Sequence, residues 1–233
     1  MNRAIGQSSN RAGQTEPLLA LLQLSDSGFP SGGFTHSYGL EQALNERLVW
    51  GVDEIEAYVR SVVLQSAATA DARAACAAAN QDDIASIVEA DQALYRTKAA
   101  SELRQACVST GHRLVEETVI HLDALVLRAY AECISSGESP GCHPVALGVV
   151  SGALGVKPGE AASALLIGTA NTLLQAAMRL GRISHRDAQA ILHRLRPAIA
   201  SLNLAGGPLA AYHPLQEIAS MRHQRAEARL FAS

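Results

Sequence analysis

Apolar residues recur along most of this chain at the three- and four-residue spacing of an amphipathic helix. From Lys98 to Cys133, for example, one apolar stripe that includes Leu103, Cys107 and Leu114 keeps this spacing throughout. No run alternates convincingly between apolar and polar residues, as a half-buried strand would. The pattern therefore predicts an all-α protein, a single-domain bundle of about eight to ten helices around one core.

Local signals predict where the helices begin and end. Proline suits the first turn of a helix, and a Ser or Asp followed three residues later by an acidic residue can cap one. These signals place helix starts at Pro17, Asp53, Asp82 or Asp83, Pro144, Pro158, Ser184 and Pro214. We further expect a helix over about 35–47, a bend near Thr69, an interruption at Pro197 and a last helix that runs to the C-terminus. Gly111, inside the long stripe, indicates either close packing or a kink.

Both ends of the chain are poor in apolar residues. Residues 1–15 are rich in Ser, Asn, Gln and Gly, so we predict a flexible N-terminal tail followed by a helical domain over residues 16–233. Within residues 221–233 the large apolar groups are Met221, Leu230 and Phe231. Because ordering the backbone costs about 1–2 kcal/mol per residue, we predict that this C-terminal segment becomes ordered only with a partner.

The stretch from Phe29 to Glu41, Phe-Pro-Ser-Gly-Gly-Phe-Thr-His-Ser-Tyr-Gly-Leu-Glu, differs from the Ala- and Leu-rich helices around it. Pro30 fixes one φ angle, whereas Gly32 and Gly33 permit positive φ or the close approach of another backbone. This pattern predicts a tight loop that leads into a helix beginning near Thr35, with an ordinary helix–loop–helix corner as an equal alternative. The two residues that could cap that helix, and the two aromatic residues that would share one face of it, are Thr35 and Ser37, and Phe34 and Tyr38.

Composition and charge narrow the classes of function. Hydrophobic residues make up 48% of the chain and aromatic residues only 4%, so small and aliphatic side chains must build the core. Lys plus Arg (19) against Asp plus Glu (22) gives a net charge of −3, which argues against a nucleic-acid-binding protein. No signal-peptide pattern is present, and the apolar runs over 144–156 and 161–178 are too short or too polar to span a membrane. We therefore expect a cytoplasmic protein with reduced cysteines.

Motifs for catalysis are absent from the sequence. There is no GxxxxGK[ST] phosphate loop, no GxSxG nucleophile elbow and no HExxH metal motif. The acidic pairs Asp82-Asp83 and Glu116-Glu117 point in different directions on a helix, which is a poor geometry for acid–base chemistry. We therefore expect no enzymatic activity, including hydrolysis of GTP, and no cofactor.

Metal ligands are the remaining chemical candidates. Cys142 and His143 are adjacent, and both residue types suit a borderline-soft ion such as nickel or zinc. Two further pairs at helical spacing are Glu117 with His121 and His185 with His193. None of these pairs reaches the three convergent ligands of a high-affinity site, so solvated helix faces and loop residues are the favoured interpretation.

Three groups of residues together resemble one protein family. The first comprises Pro30, Gly32, Gly33, Phe34, Ser37, Gly39, Leu40 and Glu41. The second comprises Glu102, Arg104, Gln105, Gly111, His143-Pro-Val, Gly148 and Ala153-Leu-Gly155. The third comprises Ile218-Ala-Ser-Met-Arg-His223 and Arg229-Leu-Phe231. On these motifs, about residues 18–233 resemble the urease accessory protein UreF family, a component of the nickel-insertion machinery of urease. Thr35, His36, Gln224 and Ala232 depart from the family's commoner residues.

The resemblance implies a homodimeric, non-catalytic protein that links the scaffold protein UreD (also called UreH) to the GTPase UreG. Through that complex it would act on apo-urease. The residues that the resemblance and the local patterns assign to partner binding are Pro30, Gly32, Gly33, Phe34, Ser37, Tyr38, Gly39, Glu41, Met221, His223, Arg229, Leu230 and Phe231. Two alternatives stay open: a helical nickel-binding metallochaperone that uses Cys142 and His143, and a purely structural helical module.

Overall fold

The chain forms eleven α-helices, with no β-strand in the part that the structure describes. The structure, a computed structural model, describes residues 4–26, 28–30, 32 and 36–232. In chain order the helices are α1 (Ala4–Ser25), α2 (Leu40–Asn45), α3 (Gly51–Ser61), α4 (Asp71–Ala78), α5 (Ile84–Thr97), α6 (Ser101–Val119), α7 (Leu125–Ser135), α8 (His143–Ala153), α9 (Pro158–Arg179), α10 (His185–Ala200) and α11 (Pro214–His223). The predicted all-α fold is confirmed, and ten of these helices have seven or more residues.

Helix α8 lies at the centre of the bundle, against α4, α6 and α9. Every residue from Pro144 to Ser151 is buried. At Gly148 and Gly152, a Cβ atom would overlap the backbone carbonyl groups of Ala75 on α4 and of Ala79 directly after it. The two glycines therefore permit α8 and α4 to pack closely together.

Helix α9 is apolar and long enough to cross a membrane. Half of its most apolar 18-residue stretch is buried inside the bundle, where α9 packs against α4, α8 and α10. This is the environment of a core helix, and the polar residues Thr169, Asn171 and Thr172 interrupt its apolar surface.

Several predicted helix boundaries are confirmed. Ser184 and Asp187 form a capping box at the start of α10, Asp83 caps α5, and prolines occupy the first turns of α8, α9 and α11. The bend near Thr69 follows a π-helical segment, Val62–Ala67, after which α4 begins. Gly111 permits close packing and not a kink, because α6 continues through it and a Cβ there would overlap the carbonyl oxygen of Gly141.

Other predicted boundaries are wrong. Helix α1 begins at Ala4 and contains Pro17, while α3 begins at Gly51, where the Glu54 carboxylate accepts a hydrogen bond from the Trp50 N–H at 2.7 Å. The stripe from Lys98 onward divides into α6 and α7 around a turn at residues 120–124. Pro197 lies inside α10, three residues before its end, where the loss of one backbone hydrogen bond is tolerated.

Two corrections bear on the candidate site. Helix α2 begins at Leu40 and not near Thr35, because Gly39 at its N-terminus has a left-handed conformation with φ 81°. Helix α11 ends at His223 and does not reach the C-terminus. Tyr38 therefore lies in a turn and not on a helix, and Phe34, with which it was predicted to share a helix face, lies outside the described residues. The division of the chain into a flexible tail over 1–15 and a domain over 16–233 stays a prediction.

Candidate functional site

The two sequence stretches that resemble the family most closely meet in space. Helix α2, which carries Glu41, packs against α11, which ends at His223. Glu102, in the first turn of α6, approaches His223 from the other side. Residues separated by more than a hundred positions in sequence are thereby brought into one buried cluster.

Two carboxylates hold the His223 imidazole between them. Its Nε2 lies 2.8 Å from Glu41 Oε2, and its Nδ1 lies 3.0 Å from Glu102 Oε2. The side chains are almost fully buried, with 1% of His223 and 5% of each glutamate exposed. A doubly protonated imidazole donates a hydrogen bond from each nitrogen, so this form satisfies both carboxylates at once. Buried carboxylates need such partners, because unpaired charge is strongly disfavoured in the interior.

The same carboxylates bind the C-terminal segment. Glu41 accepts hydrogen bonds from the backbone N–H groups of Leu230 and Phe231, at 2.8 and 3.1 Å. Arg229 forms an ion pair with Glu102 at 3.2 Å. We call Glu41, Glu102, His223 and Arg229 the clasp. It fixes the end of the chain to the body through hydrogen bonds and the Arg229–Glu102 ion pair.

Phe231 anchors the C-terminal segment beyond the clasp. Its side chain is buried, and the guanidinium carbon of Arg179 lies 4.2 Å from the ring centroid. A cation over an aromatic face is an attractive contact. Polar and aromatic contacts therefore hold residues 224–232. The sequence-based expectation considered only the small apolar area of this segment. That this segment becomes ordered only with a partner stays a prediction.

A tight turn sets the position of Glu41. The N–H of Leu40 donates to the carbonyl oxygen of Ser37 at 3.0 Å, and both intervening residues, Tyr38 and Gly39, have positive φ. The Tyr38 carbonyl oxygen accepts a hydrogen bond from the Tyr58 hydroxyl at 3.0 Å. At Gly39, a Cβ atom would lie 2.8 Å from the carbonyl oxygen of Gln216 on α11. The glycine is therefore needed for its conformation and for the close approach of α2 and α11.

His36, a departure from the family's commoner residue, is buried just before this turn. Burial, assisted by the positive charge of Arg113 on α6, lowers the pKa of His36 from 6.5 to about 4. The Arg113 side chain also lies against Gly32, which has the predicted positive φ at 78°. The stretch before α2 is in this way packed on α6.

The buried His36 makes the stability of the fold depend on pH. Below about pH 6.5 the unfolded chain takes up a proton at His36, whereas the folded chain takes it up only near pH 4. The contribution of His36 to the free energy of unfolding is therefore fully present above pH 6.5 and decreases as the pH falls toward 4. At pH 5 about 1–2 kcal/mol of it is lost. Urea denaturation between pH 7.5 and 5 should show a smaller loss for His36→Gln than for the unchanged chain. Equal pH profiles would contradict this assignment.

The structure divides the predicted partner-binding residues into two groups. Ser37, Gly39, Glu41, His223 and Phe231 are buried, so they hold the site together and do not offer a contact surface. Pro30, Met221, Arg229 and Leu230 are exposed, and Gly32 and Tyr38 are half-buried. Gly33 and Phe34, together with Thr35, lie outside the described residues.

Cys142 and His143, the candidate metal-binding pair, lie in and at the edge of the core. Cys142 is buried, and a hydrogen bond with Cys107 together with burial raises the pKa of its thiol well above the ordinary value. Burial lowers the pKa of His143 to about 4. The described residues contain no group of three or more His, Cys, Asp or Glu side chains placed to hold one ion. In the clasp itself, the two ring nitrogens of His223 face different carboxylates and do not converge on a point.

Sequence reasoning missed a further buried carboxylate, Asp91. Its oxygens accept hydrogen bonds from the Tyr130 and Ser139 hydroxyls and from the N–H groups of Gly141 and Cys142, at 2.6–3.0 Å. This network fixes the loop between α7 and α8. The available signal was spacing: Asp91 stands four residues after Ile87 and three before Leu94, on the apolar face of α5.

Comparison with known proteins identifies the family to which the sequence belongs. The UreF family model matches residues 49–196. Urease accessory protein UreF 2 of Brucella canis is 36% identical over 222 residues, which cover 92% of this chain and 91% of that protein. Urease accessory protein UreF of Photorhabdus laumondii is 32% identical over 224 residues (93% and 98%), and that of Paenarthrobacter aurescens is 32% identical over 220 residues (92% and 97%). The chain therefore belongs to the UreF family of urease accessory proteins.

Proposed function

We propose that this chain is a non-catalytic adaptor in urease maturation, which joins the scaffold protein UreD (UreH) to the GTPase UreG so that nickel reaches apo-urease. Membership of the UreF family supports the urease accessory role. The observation that carries the adaptor role is the clasp. Its buried Glu41 and Glu102 carboxylates position the C-terminal segment through hydrogen bonds and an ion pair.

The clasp presents the C-terminal segment as a docking element. Leu230 is 63% exposed and Met221 is 42% exposed, although their neighbours Phe231 and His223 are buried. Exposed apolar side chains next to arginines have the composition of interface centres. In this proposal Met221, Arg229 and Leu230 contact the scaffold protein, and Glu41, Gly39 and Phe231 position them.

The partners supply what the chain lacks. A sequence without a phosphate loop leaves GTP hydrolysis to UreG. Nickel is then cargo of the assembled complex, and the core position of Cys142 argues against a route through the Cys142-His143 pair. We place this work in the cytoplasm and expect the chain to act as a homodimer. The Gly33-Phe34 segment is kept as a further partner contact.

Docking through Met221 and Leu230 predicts a clean separation of binding from folding. The double variant Met221→Asp, Leu230→Asp should lower co-purification with UreD at least about tenfold, because two apolar contacts of an interface centre are replaced by charge. Its melting temperature should be unchanged, since both side chains are exposed. The measurement is a pull-down from cells that express the urease proteins together with the tagged chain.

A matched control is Leu125→Asp, at an 83% exposed leucine that begins α7 and lies outside the proposed surface. This control should retain full co-purification. Capture of UreD at full stoichiometry by the double variant would refute the docking role of the C-terminal segment.

A further inference from the structure

The only tryptophan of the chain is exposed and lies next to two arginine side chains. Trp50 precedes α3 and is 53% exposed. The guanidinium carbon of Arg182, after α9, lies 4.9 Å from its ring centroid, and that of Arg47, after α2, lies 5.5 Å away. Two elements distant in sequence thus contribute cations to one exposed aromatic ring.

Arg47 occupies a backbone position that usually requires glycine. The N–H of Leu48 donates to the carbonyl oxygen of Ala43 and that of Arg47 to Leu44, which is the Schellman arrangement at the end of a helix. Helices α8 and α9 end in the same arrangement, with glycine at the equivalent positions, Gly155 and Gly181. Arg47 has φ 55°, a conformation that disfavours side chains with a Cβ. Folding alone would therefore favour glycine here.

The charges of Arg47 and Arg182 are not neutralised within the described residues. Neither forms an ion pair there. The neighbouring Glu46 is paired with Arg222, whereas Glu54 accepts a hydrogen bond from the neutral Trp50 N–H and keeps its negative charge. Arg182 Nε is buried and has no hydrogen-bond partner among the described atoms. Two guanidinium groups beside one aromatic ring, neither paired with a carboxylate of the described residues, suit a negatively charged group.

A mostly apolar groove begins at Leu48, the residue after Arg47. Leu48, which is 46% exposed, lines a groove of about 470 Å³ between α3 and the start of α11. Ala57, Leu215 and the acidic Glu54 line it as well, and Tyr212, which is 73% exposed, forms part of its wall. A ligand that uses both features carries carboxylates and apolar side chains together, which excludes a simple anion.

We propose that Arg47, Trp50 and Arg182, with the groove at Leu48 and Tyr212, form a second docking surface that binds an acidic, partly apolar segment of a partner protein. The inference rests on the adaptor role proposed above and adds a binding surface distinct from the C-terminal segment. Trp and Arg are the residues most often found at the energetic centre of interfaces, and charge complementarity selects the partner and speeds its association.

The test places a photo-crosslinking amino acid, p-benzoylphenylalanine, at Leu48 in the full chain, co-expressed with apo-urease and the other accessory proteins. We expect a crosslink to a partner segment that contains several carboxylates, with a yield that falls as the salt concentration rises. The variants Arg47→Gly and Arg182→Gln should each lower the yield about tenfold. Arg60→Gln, at an exposed arginine near the other end of α3, should leave the yield unchanged.

Arg47→Gly also separates binding from stability. Because glycine is preferred at this backbone position, its melting temperature should equal or exceed that of the unchanged chain while the crosslink is lost. A crosslink only to a second copy of this chain, a crosslinked segment without carboxylates, a yield that does not respond to the two arginine variants, or no crosslink would each overturn the proposal. Loss of UreD co-purification in Met221→Asp, Leu230→Asp tests the adaptor role independently, since those side chains are not part of this surface.

Discussion

Replacing His223 with alanine is expected to lower the free energy of unfolding by about 3–5 kcal/mol. The substitution removes the hydrogen-bond donors of two carboxylates that are each only 5% exposed. Glu41 would keep the N–H groups of Leu230 and Phe231, and Glu102 would keep Arg229, but each carboxylate would lose its hydrogen bond with the imidazole. A buried polar group that loses its partner bears the full cost of its removal from water, which exceeds the net contribution of the hydrogen bond.

Urea denaturation measures this effect, and His193→Ala is the matched control. His193 lies on the exposed face of α10, so its replacement should change stability by about 0.5 kcal/mol or less. The physical cause is tested by repeating His223→Ala in a chain that carries Glu41→Gln and Glu102→Gln. There the loss should shrink, since neutral amides need no counter-charge; the same loss in both backgrounds would show that the clasp is not an electrostatic unit.

Gly39→Ala is expected to produce the second large effect. A residue with a Cβ at φ 81° carries strain of about 1–3 kcal/mol. In addition, the new Cβ would lie 2.8 Å from the Gln216 carbonyl oxygen and 3.2 Å from the Ser220 nitrogen. Both atoms belong to the backbone of α11, which is not free to rotate away, so α11 must shift from α2 and the clasp must loosen. The C-terminal segment should then become sensitive to limited proteolysis between Gln224 and Arg229.

Gly51→Ala separates strain from contact. Gly51 has nearly the same φ, 79°, but a Cβ there would meet no atom within 4 Å. We expect Gly51→Ala to lower stability by strain alone and to leave the C-terminal segment protected. If the two alanine variants lose the same stability and show the same proteolysis, the close approach of α2 and α11 has no energetic role.

Local signals in the sequence predicted the parts of this protein that local physics controls. The capping box of Ser184 and Asp187 and the cap at Asp83 were found because their side chains accept hydrogen bonds from free N–H groups within one helical turn. The prolines that open α8, α9 and α11 were found because proline has no N–H group to leave unpaired in the first turn. The apolar stripes predicted an all-α fold because helical spacing is also a local property of the sequence. The motifs at residues 29–41 and 218–231 likewise indicated two stretches with a distinct function. They did not indicate that the two stretches are in contact.

The relation between those motifs is a property of the tertiary structure. Glu41 and His223 are 182 positions apart, and neither motif indicates that the two side chains form a hydrogen bond with each other. The start of α2 at Leu40 was missed for a similar reason: the capping residues Thr35 and Ser37 favour an earlier start, but the contact with α11 fixes Gly39 in its left-handed turn. Cys142 was a candidate metal ligand by residue type alone, and its neighbours in sequence do not indicate that its thiol lies beside Cys107 in the core. Sequence patterns report hydrogen bonds and burial within a few residues, whereas the pairing of buried charges depends on which helices the fold brings together.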